Sequence, residues 1–189
     1  MFNHLSIYIK IPILLVCYLL VCFLAVYFYH LSLSNDEWWW VLFFNFVQAW
    51  NLILTGFLFF QTFKYKRLPS GYYVKRSFET DRFFMLLGVP AFRYVLVNSF
   101  FKRLNKRVYL RGRSKDYIKV FSEETKQSET SHLISLLFTL IIQYFYFVNK
   151  EWDHLIALSV FSILFNVYPM LLQRKNRFSV EAKFLKNNV

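Results

Sequence analysis

The chain alternates long apolar runs with polar segments, and four of the runs approach the length of a membrane-crossing helix. Such a helix needs about 20 apolar residues, because each residue adds about 1.5 Å along the axis and a hydrocarbon core is about 30 Å thick. The four runs occupy residues 11–29, 38–63, 133–148 and 155–172. They predict an all-α integral membrane protein with four transmembrane helices, folded as a single membrane domain over residues 1–189.

The long polar loop over residues 64–131 is more than a linker. Between residues 81 and 104 its apolar side chains recur at near-helical spacing on both sides of a Gly88-Val89-Pro90 break. This pattern predicts two short amphipathic helices that lie in the headgroup plane and present basic side chains to anionic lipid. The basic residues concerned are Arg93, Lys102, Arg103, Lys106 and Arg107. A solvated basic face is the alternative.

Composition supports the membrane assignment and suggests that the positive charge reflects membrane topology. The chain is 57% hydrophobic and 22% aromatic, with a formal charge of +12. A charge of this size also fits a nucleic-acid partner, but apolar runs of this length exclude that interpretation. Of the 23 basic residues, 22 fall before the first run, in the loop or after the fourth run, and only Lys150 falls between the third and fourth runs. Because basic residues concentrate on the cytoplasmic side, we expect the loop and both termini to be cytoplasmic.

Three of the runs carry polar residues along one helical face. Polar groups are costly against lipid tails, so these faces are predicted to meet in a shared interior or cleft that opens to the cytoplasm. The stripe of the third run requires its helix to extend back to about residue 122. The stripes are Asn45, Gln48, Asn51 and Thr55; Thr125, Glu129, His132, Ser135, Thr139 and Gln143; and Ser159, Ser162, Asn166, Gln173 and Arg177.

Glu129 and His132 are the first candidates for chemistry. They lie three residues apart on one helical face, where a carboxylate can hold an imidazole in the tautomer that accepts a proton. The structural alternative is that Glu129 merely neutralises nearby arginines. A single Glu-x-x-His supplies only two metal ligands, so no metal site is predicted.

A second candidate cluster follows the fourth run. Because consecutive helices joined by a short turn are antiparallel, this cluster is predicted to meet Glu129 and His132 at one membrane face. Guanidinium and amide groups recognise phosphate or carbonyl oxygens directionally, although arginines here also fit a positive-inside anchor. The cluster is Gln173, Arg174, Lys175, Asn176 and Arg177.

These two clusters resemble a known family, the glycosyl-4,4'-diaponeurosporenoate acyltransferases of staphyloxanthin-type carotenoid synthesis. The resemblance rests on Glu124-Thr125-Lys126-x-x-Glu129-x-x-His132-x-Ile134-Ser135, Asn166-Val167 and Gln173-Arg174-x-Asn176-Arg177. It extends weakly to Phe78-Glu79, and the sequence departs from it at Phe178, where proline is expected. It implies a bacterial cell-membrane enzyme that transfers a fatty acyl group to a sugar hydroxyl of a glycosylated carotenoid.

Under this resemblance we expect His132 to act as the base and Glu129 to orient it. Arg174, Asn176 and Arg177 would bind the oxyanion or the donor's phosphates, while Asn166, Gln173 and Thr125 would contact the substrate. No bound cofactor is predicted, since the acyl donor is acyl-CoA or acyl-carrier protein. The expected acceptor is a glycosylated carotenoid or another membrane lipid.

Two other interpretations stay open from the residues. One is a small membrane methyltransferase or reductase of the isoprenylcysteine methyltransferase type, in which terminal polar clusters bind a soluble cofactor. The other is a membrane assembly protein without enzymatic activity, for which replacement of Glu129 and His132 would leave function intact.

Overall fold

The protein is all-helical in the part that its computed structural model describes, which comprises residues 37–62, 68–99 and 115–186 and eight residues between positions 12 and 30. Those eight, at positions 12, 16, 19, 23, 26, 27, 29 and 30, are helical, and the described part contains no strand. The all-α prediction is therefore confirmed. The first predicted span, residues 11–29, otherwise lies outside the described residues and stays a prediction.

Six α-helices follow one another along the described chain. A 3-10 turn over Ser70–Tyr72 and a π-helical segment over Ile163–Val167 interrupt the series. The helices are α1 (Trp38–Thr62), α2 (Asp81–Leu86), α3 (Val89–Asn98), α4 (Lys115–Val148), α5 (Trp152–Ser162) and α6 (Tyr168–Lys186).

Three segments are long and apolar enough to cross a membrane: Trp38–Leu58, Ile118–Val148 and Trp152–Ala182. They correspond to the second, third and fourth predicted spans. The helical segments at the third and fourth spans are longer than predicted. The segment at the third span begins at Lys115, and that at the fourth span remains helical to Lys186. No glycine or proline interrupts residues 115–148, so the polar residues before the third run continue its helix.

Two local backbone features follow from single residues. Lys150 adopts a left-handed conformation with a φ angle of 61°, which ends α4 and reverses the chain into α5. Pro169 has no backbone N–H and its ring crowds the carbonyl of the preceding turn, which accounts for the π-helical segment directly before it. The buried Asn166 lies in that segment.

The chain divides into two compact units. Among the described residues, the first unit contains α1 and residues 134–165. Its hydrophobic core is formed by Phe44, Ala49, Leu52, Tyr146 and Leu158.

The polar stripe of α1 faces the interior of the first unit, as predicted. Asn45 and Asn51 are 0% and 7% exposed. The Asn45 amide nitrogen lies 2.9 Å from Nδ1 of His154, and the imidazole packs among the rings of Tyr29, Phe44 and Tyr146. His154 itself is buried in the first turn of α5, at 5% exposed.

The second unit contains the described residues 68–99, 115–133 and 166–186, and thus the first part of α4, the short helices α2 and α3, and α6. Phe84, Val89, Leu172 and Phe178 form its hydrophobic core. Thr80 caps α2 by accepting a hydrogen bond from the Phe83 backbone N–H.

Two short helices, Asp81–Leu86 and Val89–Asn98, lie in the loop region where the amphipathic pair was predicted. Gly88 separates them with a φ angle of 71°, a conformation that favours glycine. Their placement in the headgroup layer stays a prediction. Residues 100–114, which carry Lys102, Arg103, Lys106 and Arg107, lie outside the described residues.

Candidate functional site

Glu129 stands at the centre of a buried ion-pair cluster within the second unit. It projects from α4 and is 0% exposed. One carboxylate oxygen accepts a hydrogen bond from Nη1 of Arg174 at 2.7 Å, and the other accepts from Nη1 of Arg177 at 2.6 Å. The arginines lie three residues apart on α6, so both reach the same carboxylate. The prediction that Glu129 meets the cluster after the fourth run is confirmed by these contacts.

Arg174 is held by two carboxylates and two backbone carbonyls. Its Nε and Nη2 donate to the two oxygens of Glu79, and its Nη1 and Nη2 also donate to the carbonyls of Tyr72 and Val74 at 3.0 and 3.1 Å. With the bond to Glu129, five contacts match the five N–H donors of a guanidinium. Arg174 therefore has no donor left for a substrate in this conformation.

Arg177 is less completely satisfied, although it is more deeply buried. Its side chain is 1% exposed, and Glu129 is its only carboxylate partner among the described residues. Nη2 makes a long contact of 3.5 Å with the carbonyl of Tyr73, and Nε has no hydrogen-bond partner in the described part of the chain. A buried donor without a partner is unusual in a folded protein, where most buried polar groups are hydrogen-bonded.

Three aromatic rings cover the guanidinium groups. The centre of the Arg174 guanidinium lies 5.3 Å from the ring centroids of both Tyr72 and Phe178. That of Arg177 lies 5.4 Å from the Tyr73 ring and 5.2 Å from the Phe178 ring. Phe178, which stands where proline is expected, thus contacts both arginines through cation–π geometry.

The cluster is electrically balanced, since two carboxylates face two guanidinium groups. Burial raises the pKa of Glu79, but hydrogen bonds from Arg174 and from the Arg76 backbone together lower it by more, so the pKa lies below its ordinary value. Burial and the neighbouring Glu129 carboxylate raise the pKa of the Tyr72 hydroxyl to about 12. Both residues therefore keep their ordinary protonation states near neutral pH.

The remaining predicted residues lie in the same unit but do not join the ion pairs. His132 is partly buried on α4, one helical turn after Glu129. Each oxygen of Glu129 accepts a hydrogen bond from an arginine, and the pairing of Glu129 with His132 stays a prediction. Thr125 is buried and donates to the Ser122 carbonyl of its own helix at 2.7 Å.

Gln173 and Asn176 lie on α6 together with the arginines, and Asn166 lies in the π-helical segment before it. Asn166 is fully buried, and Gln173 and Asn176 are partly buried. The Asn176 amide nitrogen has no hydrogen-bond partner among the described residues. Asn176 and Arg177 therefore each present a buried donor that the described part of the chain leaves unused.

Sequence reasoning missed Glu79, Tyr72, Tyr73 and Phe178 as members of this cluster. Charge balance is the signal that points to Glu79: two buried arginines require two carboxylates, and Glu129 supplies only one. The aromatic residues carry no comparable signal, because the chain contains 24 Phe and 13 Tyr.

The fold and this cluster define a small helical membrane protein whose last two long helices are joined by buried ion pairs inside its second unit. The family model of the glycosyl-4,4'-diaponeurosporenoate acyltransferases matches residues 69–184. The match covers more than half of the chain and includes both carboxylates and both arginines. The chain belongs to this acyltransferase family. No curated protein and no solved structure matches it.

Proposed function

We propose that this protein transfers a fatty acyl group from a soluble thioester to a sugar hydroxyl of a membrane-held glycosylated carotenoid or a related glycolipid. The family match carries this proposal, because it names an acyltransferase and spans every residue of the ion-pair cluster. Long apolar helices keep such an enzyme beside a lipid-soluble acceptor, while a polar site at a cytoplasmic face receives the donor.

The reaction forms an ester bond and breaks a thioester bond. The hydroxyl oxygen of the sugar attacks the acyl carbonyl, its proton passes to His132, and the departing thiolate takes that proton. His132 is the only histidine in the family-matched region besides His154, which lies in the other unit. Removal of a well-placed general base typically slows a reaction by about 100- to 10,000-fold.

Charge on the thioester oxygen needs donors that are not already engaged. We assign this task to the Nε–H of Arg177 and the amide of Asn176, since both lack partners among the described residues. Arg174 is a positioning residue in this scheme, because its donors are all used within the protein. Glu129 holds both arginines, which gives it a role that does not depend on orienting His132.

The test is to express the protein in a cell that makes a glycosylated carotenoid and to look for an added acyl chain by mass spectrometry. The expected result is a mass shift of one fatty acyl group, which the His132→Ala variant abolishes. Ser131→Ala is the matched control, since the exposed Ser131 hydroxyl donates to the Gln127 carbonyl of its own helix. Absence of the mass shift with folded protein contradicts the proposed acceptor. Full activity of His132→Ala contradicts the proposed mechanism.

A further inference from the structure

A groove between α3 and α6 lies outside the ion-pair cluster but within the same unit. Its volume is about 360 Å³, which falls in the range typical of ligand sites. The apolar side is formed by Val89, Pro90, Val97 and Leu172, of which Val89 and Leu172 belong to the hydrophobic core. Arg93, Tyr94, Asn98 and Lys175 complete the lining.

The charge of the groove is not neutralised by the protein. Neither Arg93 nor Lys175 forms an ion pair with a carboxylate in the described ranges, and no acidic residue lines the groove. Arg174 and Arg177, on the same helix as Lys175, are by contrast matched by Glu79 and Glu129. Two cations beside an apolar surface are complementary to an anion that carries an apolar or amide-containing arm.

We infer that this groove binds the phosphopantetheine arm of the acyl donor, with Arg93 and Lys175 on its phosphate. The inference rests on the proposed acyl transfer. Of the two substrates, a glycosylated carotenoid offers sugar hydroxyls and a polyene but no phosphate, whereas coenzyme A and acyl-carrier protein both carry this phosphorylated arm. Lys175 stands on α6 between Arg174 and Asn176, so one helix carries both a cation of the groove and residues of the candidate site.

The groove accommodates the arm rather than a whole acyl-CoA molecule. Tyr94 is 71% exposed at its edge, which leaves the opening accessible from outside the unit. The Asn98 amide nitrogen is fixed by a 2.9 Å hydrogen bond to the Tyr94 carbonyl. Its amide oxygen is an acceptor on the same rim, and the two amide N–H groups of pantetheine are suitable donors to it.

The experiment measures palmitoyl-CoA kinetics and binding with the full chain in a neutral detergent. An Arg93→Gln/Lys175→Gln double variant is compared with Arg82→Gln, which removes an exposed cation of α2 that does not line the groove. We expect the KM for palmitoyl-CoA to rise at least about 10-fold in the double variant, as charge-assisted hydrogen bonds are lost, while the KM for the glycosylated acceptor is unchanged. Arg82→Gln should match the wild type in both values.

A second variant, Val97→Trp, fills the groove without changing its charge and is expected to raise the same KM. Direct binding of radiolabelled palmitoyl-CoA separates the two proposals. Binding that depends on Arg93 and Lys175, without acyl transfer to any acceptor, supports the groove and contradicts the proposed function. Acyl transfer with an unchanged KM in both groove variants supports the function and overturns the groove.

Competition identifies the source of the phosphate. Free coenzyme A is expected to displace the bound palmitoyl-CoA, whereas mixed micelles containing phosphatidylglycerol are not. Displacement by phosphatidylglycerol alone would assign the two cations to anionic lipid headgroups and overturn the proposal.

Discussion

Replacement of Glu129 by glutamine removes one charge from a cluster that is otherwise balanced. The variant leaves Arg174 with Glu79 and two carbonyls, but it removes the one carboxylate that Arg177 contacts in the described part of the chain. Because Arg177 is 1% exposed, its charge cannot be solvated without opening the unit. Loss of one partner from a buried ion pair typically costs about 3–5 kcal/mol, and we expect the free energy of unfolding of Glu129→Gln to fall by that amount.

The matched control lies on the same helix. Glu123 pairs with Lys126 at 3.2 Å, but both side chains are about one quarter exposed, at 24% and 23% respectively. Pairs of this kind contribute about 0–1 kcal/mol, so Glu123→Gln should have almost wild-type stability. Unfolding is followed by tryptophan fluorescence during titration with a denaturing detergent.

A double variant tests the cause. Glu129→Gln combined with Arg177→Met removes the uncompensated charge together with its former partner, and we expect it to be more stable than Glu129→Gln alone. The reasoning is refuted if Glu129→Gln and Glu123→Gln lose equal stability, or if removal of Arg177 destabilises the Glu129→Gln protein further.

Three further outcomes follow from the described contacts. The folded-state pKa of Glu79 lies below its ordinary value of 4.5, so its stabilising contribution is present above that value and is lost as the pH falls through the folded-state pKa. Between about pH 6 and pH 3, the thermal unfolding temperature of Glu79→Gln should therefore fall less steeply with pH than that of the wild type. Phe178→Ala opens a cavity beside both guanidinium groups and should lower the free energy of unfolding by about 3–5 kcal/mol. The control Phe78→Ala, at a ring that is 61% exposed, should change the free energy of unfolding by less than about 1 kcal/mol in the same detergent titration. Asn45→Ala removes the partner of the buried His154 and should cost about 1–3 kcal/mol, with a stability equal to the wild type contradicting a role for this contact in the first unit.

Periodicity was sufficient to predict the helices and the buried faces of the stripes. The spacing of Asn45 and Asn51, and that of Glu129 and Ser135, places each pair on one side of a helix, and all four side chains are buried. The spacing of helical residues is fixed by the backbone, so this part of the fold follows from local sequence.

Partner choice could not be predicted in the same way. Glu129 has His132 one turn away and two arginines 45 and 48 residues away, and only the fold determines which of them its oxygens meet. Glu79 illustrates the same limit, since its bonds to Arg174 connect residues 95 apart in the chain. His154 shows the same limit, since it stands close to a short loop in the chain and only packing against Tyr29, Phe44 and Tyr146 buries it.

The sequence by itself therefore determined the membrane class, the helical architecture, the family and the residue types available for chemistry, because hydrophobic length, helical period and motif spacing are local properties. Tertiary structure decided that Arg174 is fully engaged while Arg177 keeps a buried donor, that Glu79 completes the charge balance, and that Arg93 and Lys175 flank one groove. These outcomes depend on which distant side chains share a desolvated space, where each buried charge requires a partner.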